Sequence, residues 1–143
     1  MRKAVNIILC VVISCVTMAC SKKRPVNEAP ATDYIDTTNG AAKYRGTFLS
    51  APGESASGTV LVLLKNGAYS LALKDMNVGG GPDLHVYLSK QTQPVDFIDL
   101  GKLKSTRGDQ VYEVKNYVDF TNYKYALIFC QQYNVLFGSA ELK

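Results

Sequence analysis

Residues 59–75 read TVLVLLKNGAYSLALKD, two β-rich runs on either side of Asn66-Gly67. Both turn positions tolerate positive φ, so the dipeptide predicts a two-residue hairpin and commits the chain to antiparallel strands. The rest of the C-terminal hundred residues has the same short β-rich runs, among them YRGTFLSA, DLHVYLSK, DFIDLGKLK, QVYEVKN, KYALIFCQQ and VLFGSAELK. Glycine or polar turns recur roughly every 8–12 residues, the spacing of sandwich and barrel strands. No segment carries a helical stripe longer than two turns, and residues 115–123, KNYVDFTNY, leave room for one short helical turn. The pattern predicts an all-β fold, a single antiparallel β-sandwich or barrel-like domain of about eight strands. Its span is residues 44–143, enough chain for one core and too little for two.

The front of the chain is of a different kind. Arg2 and Lys3 precede an apolar stretch, residues 4–16, broken only by Asn6 and Ser14. At about 13 residues it is too short to cross a ~30 Å bilayer core as a helix, and it fits the apolar region of a secretory leader. Ala19 directly before Cys20, at a sharp turn to polar composition, resembles the lipobox of bacterial lipoproteins. That resemblance implies a signal peptide over residues 1–19 and lipid on Cys20. Thr17 stands where the pattern has Leu, and Cys15 is a second candidate, one that would leave apolar residues just after the lipid. Residues 20–43 are then a lipidated cysteine and flexible linker, and the expected location is the cell envelope, facing the periplasm or the exterior.

Loss of the leader also removes Cys10 and Cys15, so Cys130 is left without a disulfide partner in the chain, in an oxidising compartment. Sixteen basic side chains fall to 14 against 12 acidic ones, a balance of +2 that does not call for nucleic acid. Lys22, Lys23 and Arg24 lie beside the anchor, in reach of anionic head groups or simply solvated.

His85 is the only histidine. A blue-copper centre needs two, and no Cys-x-x-Cys-His is present for haem attachment, so no motif encodes a cofactor and a metal ligand set is not identified. Hydrolysis by a Ser-His-Asp or Cys-His arrangement would have to recruit His85, and no nucleophile stands at a telling distance from it. Gly79-Gly80-Gly81 is followed by Pro82 and a strand, not by the Lys and helix of a phosphate loop. Arg107-Gly108-Asp109 reads as a hairpin turn.

Alternation along residues 83–88 places Leu84, Val86 and Leu88 on the core face and Asp83, His85 and Tyr87 on the other. A carboxylate, an imidazole and a phenol thus share one surface beside a glycine loop, a candidate ligand-binding site or an ordinary polar sheet face. In the later strand Tyr125, Leu127 and Phe129 oppose Ala126, Ile128 and Cys130. Apolar residues on both sides predict a strand covered on both faces, where a thiol behaves as a small inert hydrophobe. Gln131-Gln132 mark the end of that burial, which would put the sulfur near the rim.

The ordered blocks GTF (46–48), GTV (58–60), GPDLHVYLS (81–89), DLGKLKS (99–105), GDQVYEV (108–114) and IFCQQYNVLFGSAEL (128–142) resemble the DM-thirteen domain. The resemblance covers about residues 44–142 and implies an electron-transfer or redox role, not that of a stand-alone enzyme. It also implies a cysteine at Cys130 as candidate redox thiol, a redox partner protein, and membrane lipid as the partner of Cys20. Phe129, Tyr133 and Lys115 depart from the family pattern at packing positions. The alternative is a non-catalytic binding or structural module for an envelope protein or glycan.

Overall fold

The computed structural model describes residues 29–36, 42–115 and 117–143; the leader and Cys20 lie outside them. Among the described residues ten strands form two five-stranded sheets. In chain order they are β1 (Ala31–Thr32), β2 (Ala42–Thr47), β3 (Leu49–Ser50), β4 (Ala56–Lys65), β5 (Ala68–Val78), β6 (Leu84–Ser89), β7 (Phe97–Lys102), β8 (Arg107–Val114), β9 (Tyr125–Cys130) and β10 (Val135–Glu141). The first sheet has the order β1-β8-β5-β4-β2 and the second β3-β10-β9-β6-β7. The all-β sandwich expected from the turn spacing is what forms, with two very short strands beyond the expected eight.

The longest hairpin, β4–β5, closes through Asn66 and Gly67 with φ of 52° and 80°, Lys65 pairing Ala68. Along β4, Val60 and Val62 point into the core shared by both sheets, where they meet Leu71, Leu73, Val86, Leu88 and Ile128. Leu61 and Leu63 point outward and are covered with Ala72 by Ile35. The run VLVLL is therefore apolar on both sides because both sides are covered. The sandwich closes at one edge by a shared strand: residues 42–47 pair in the first sheet, Phe48 turns inward, and residues 49–50 pair in the second. Arg45 and Lys143 exchange two backbone hydrogen bonds there, 2.8 and 2.9 Å. Residues 117–123 make no helix; Asp119 closes a single turn, accepting from Thr121, Asn122 and Tyr123 backbone N–H groups.

Part of the expected tether is built into the domain. β1 runs parallel to β8, Ala31 opposite Gly108 and Thr32 opposite Asp109. The Ser105 hydroxyl donates to the Ala29 carbonyl (3.1 Å), and Asp33 N–H donates to Asp109 O (2.9 Å). Val111 N–H and the Lys104 ammonium both donate to the Asp33 carboxylate. Lys104 and Val111 together hold that carboxyl below its usual range. Residues 29–36 have no apolar periodicity because their docking is mostly through backbone and carboxylate. Arg107-Gly108-Asp109 is accordingly not a hairpin turn but the paired start of β8.

Loop 103–106 is fixed from inside by Gln110, whose amide is fully buried. Its Nε2 donates to Ser105 O (2.7 Å) and its Oε1 accepts from Lys104 N–H and from the Tyr112 hydroxyl (3.0 and 2.8 Å). Burial pushes the Tyr112 phenol up to about 12.

Two measurements bear on these contacts. Gly108 has φ of 88°, and a Cβ there would overlap the Ala31 carbonyl oxygen. Gly108→Ala should release residues 29–36, seen as fast amide exchange at Thr32 and Asp33, with β4–β5 still protected; unchanged protection at Asp33 would refute the pairing. Tyr112→Phe should cost about 1–3 kcal/mol in unfolding, as expected for an orphaned buried partner. For a phenol raised in the folded state, the stabilising effect is complete below the unfolded value of ~10 and is lost as pH rises towards about 12. The wild-type and Tyr112→Phe stabilities should therefore converge across that alkaline window.

Candidate functional site

β6 lies inside the second sheet, between β7 and β9, and all six of its residues are buried. Leu84, Val86 and Leu88 fill the inter-sheet core as the alternation requires. The opposite face is not open to water as a plain polar sheet face would be: His85 is 8% exposed and Tyr87 2%. Tyr87 stacks on Phe97 of β7 (centroids 4.3 Å) and Phe129 of β9 (5.6 Å), above Leu127. At the end of β6, Ser89 donates to the Gln93 carbonyl (2.8 Å) and holds loop 90–96 at this face.

Burial forces the polar atoms of this face to satisfy one another. His85 Nδ1 lies 2.9 and 3.1 Å from the two carboxylate oxygens of Asp99. A carboxylate only accepts, so Nδ1 carries the hydrogen. Asp99 sits opposite Tyr87, and it is aimed by a bulge in β7, where the register shifts between the Val86–Gly101 and Tyr87–Asp99 pairs. Gly101, with φ of 115°, donates its N–H to Asp99 Oδ1 (2.8 Å). A side chain at that φ would be strained, which ties the glycine to the bulge.

Gln131 completes the arrangement from the turn after β9. Its backbone N–H donates to Asp83 O (3.0 Å), and its two amide hydrogens go to the Tyr87 hydroxyl (2.7 Å) and Asp99 Oδ2 (3.0 Å). Burial raises the Tyr87 phenol above its ordinary range; the charges of Asp99 and Asp83 add to this and the Gln131 bond opposes it.

On the other side of the imidazole, Nε2 is buried and makes no hydrogen bond among the described residues. It faces Asp83 Oδ1 at 3.5 Å, and Lys102 Nζ lies 2.8 Å from the same oxygen. Lys102 first, and the His85 ring less strongly, hold the Asp83 carboxyl below its ordinary value. Lys102 is 74% exposed, so the Asp83–Lys102 pair adds little to stability.

Asp83, His85 and Tyr87 are thus brought together, through Asp99 and Gln131, two residues the strand alternation did not single out as site residues. A signal for Asp99 was present, the isolated glycine of FIDLGKL, which in a strand marks a bulge. Gln131 carried none, because its role depends on the pairing of β9 with β6.

Cys130 is on the other side of the sheet. It is free, 0% exposed, and packed in the inter-sheet core, opposite Leu84 on β6 and Val135 on β10. The rim position that Gln131-Gln132 suggested is not found: the backbone turns outward after Cys130, but the sulfur points inward. Among the described residues no group of three or more His, Cys, Asp or Glu stands in position to hold a metal ion.

The Asp83 carboxyl offers a direct check. Lys102→Met should move its NMR titration upward, towards the ordinary carboxylate range, because the largest lowering influence is gone. An unmoved titration would remove Lys102 from the site.

A family model described as "Electron transfer DM13" matches residues 47–142, well over half of the chain. No curated protein and no solved structure matches it. The matched span holds every residue of the site, from Asp83 to Gln131, as well as Cys130. The chain belongs to the DM13 electron-transfer domain family.

Proposed function

We propose that the protein is a lipid-anchored electron-transfer module of a bacterial cell envelope, working through the outer face of its second sheet. The leader ending before Cys20 and the family match support the anchored redox reading. The observation that carries the choice of site is His85 Nε2, a buried nitrogen without a hydrogen bond beside the Asp83 carboxylate. Leaving such an atom unbonded costs about 1–3 kcal/mol, a penalty that a binding partner can reverse. Gln131 and Lys102 are both exposed and stand beside the ring. A redox partner protein docking over them meets an imidazole already oriented by Asp99. Asp99 holds Nδ1–H, and Nε2 is left to give or take a proton as the partner's redox group gains or loses an electron. In this reading the electron-carrying group is the partner's.

A second reading keeps Cys130 as the redox thiol, cycling through a sulfenic acid or a mixed disulfide. One observation favours it: Cys130 is free and is the last residue of β9, directly before the exposed turn 131–134. Local opening of that turn would expose the sulfur.

Thiol titration of the folded protein separates the two. The expected result is one thiol that stays silent towards an aromatic disulfide reagent until denaturant is added. Reaction at the rate of a free cysteine in the native state would move the redox site to Cys130. For the outer face, a photo-crosslinking residue in place of Lys102 should capture an envelope protein that carries a redox cofactor, and one in place of Tyr117 should not. Capture only of proteins without a redox group would leave a binding module in place of an electron-transfer one.

A further inference from the structure

The strand registers place the loops of the sandwich at two ends. At one end lie the start of β6 and the end of β9, since Leu84 pairs Cys130. The end of β7 is there too, with Lys102 opposite His85, and so is the end of β5, with Asn77 opposite Arg107 at the start of β8. β1 runs parallel to β8 from Ala31 opposite Gly108, so the chain comes into the domain at this same end. The Ser105–Ala29 bond fixes the point of arrival. The Asn66-Gly67 turn and the end of β8 lie at the far end, where Tyr69 pairs Val114.

We infer that this inlet end of the sandwich is the end the domain turns towards the lipid bilayer, so that the partner reaching Asp83, His85, Lys102 and Gln131 at its edge is a membrane-bound one. This orientation rests on lipid at Cys20, the anchor of the proposed function. About eight residues separate Cys20 from Ala29, and fully extended they reach at most ~28 Å. β5, with 11 residues, is by itself about 36 Å long at ~3.3 Å per residue. The docking of residues 29–36 thus withdraws them from the tether and sets β1 pointing away from the anchor, towards the far end. Two features of the inlet end suit a head-group surface. Tyr133, at the tip of the β9–β10 turn, is 63% exposed, an aromatic with a polar tip of the kind that settles at lipid–water boundaries. Lys102, opposite His85 at the end of β7, is 74% exposed at the same end of the sandwich, with a long apolar stem and a cationic head.

The test uses the full chain, expressed with its own leader, purified from membranes and reconstituted in vesicles of phosphatidylethanolamine and phosphatidylglycerol. Tyr133→Cys and Tyr117→Cys variants carry the same fluorophore; both sites are exposed loops (Tyr117 is 89% exposed), and protein without either substitution, taken through the same labelling, corrects for any reaction at the buried Cys130. Nitroxide-bearing head groups should quench most of the fluorescence at position 133 and little at 117. Inserting about 20 Gly-Ser residues before Ala29, a flexible coil, should abolish the difference. Equal quenching, or stronger quenching at 117, in protein that floats with the vesicles overturns the orientation while leaving the anchor intact. Protein that does not float with vesicles overturns the lipid reading and the orientation with it.

Discussion

The second sheet is organised by a conflict on one strand. β6 alternates apolar and polar residues, as an exposed strand would, yet it is placed where neither face is wet. An imidazole and a phenol out of water need partners, and each partner imposes something on its own element. Asp99 can reach His85 because β7 is bulged at Gly101. Gln131 can reach Tyr87 and Asp99 because the turn after β9 leaves the sheet at that point, its backbone tied to Asp83. Phe97 and Phe129 both stack on the phenol ring. Among the described residues two buried side-chain atoms are left without a hydrogen bond, His85 Nε2 and the Asp83 Oδ1 that faces it at 3.5 Å.

What could be read in advance, and what could not, divides along the range of the interaction. The Asn66-Gly67 turn, the inward set Leu84, Val86 and Leu88, and the covering of both faces around Cys130 all follow from local backbone geometry, and each is found as expected, though the sulfur lies in the core and not at the rim. The partners of His85 and Tyr87 come from β7 and from beyond β9, 14 and 44 residues away, and local periodicity does not encode which strand lies beside which. The docking of residues 29–36 was hidden for a different reason. A two-residue strand held by backbone bonds, one carboxylate and Ile35 has no amphipathic pattern to detect. The same pairing explains why Arg107-Gly108-Asp109 looked like a turn: its glycine is needed, but for the close approach of Ala31.

Cys130 and the His85 network are neighbours in sequence terms, one residue from Gln131, but they belong to different layers. The thiol contributes to the apolar interior, and the imidazole to the polar network outside it. A proton moving at His85 and an electron moving at Cys130 would have to do so across a packed sheet. That separation favours a division of labour in which the thiol helps fill the core and the outer face meets the partner.

The direction of β1 has a mechanical consequence. Because β1 runs parallel to β8 and away from the point where the chain arrives, tension drawn through the N-terminus acts along the strand rather than across it. The hydrogen bonds from residues 29–33 to β8 and its loop are then loaded together and in shear, where a peeling geometry would break them one at a time. The first strand therefore resists a pull on the chain that enters it far better than its two-residue length suggests.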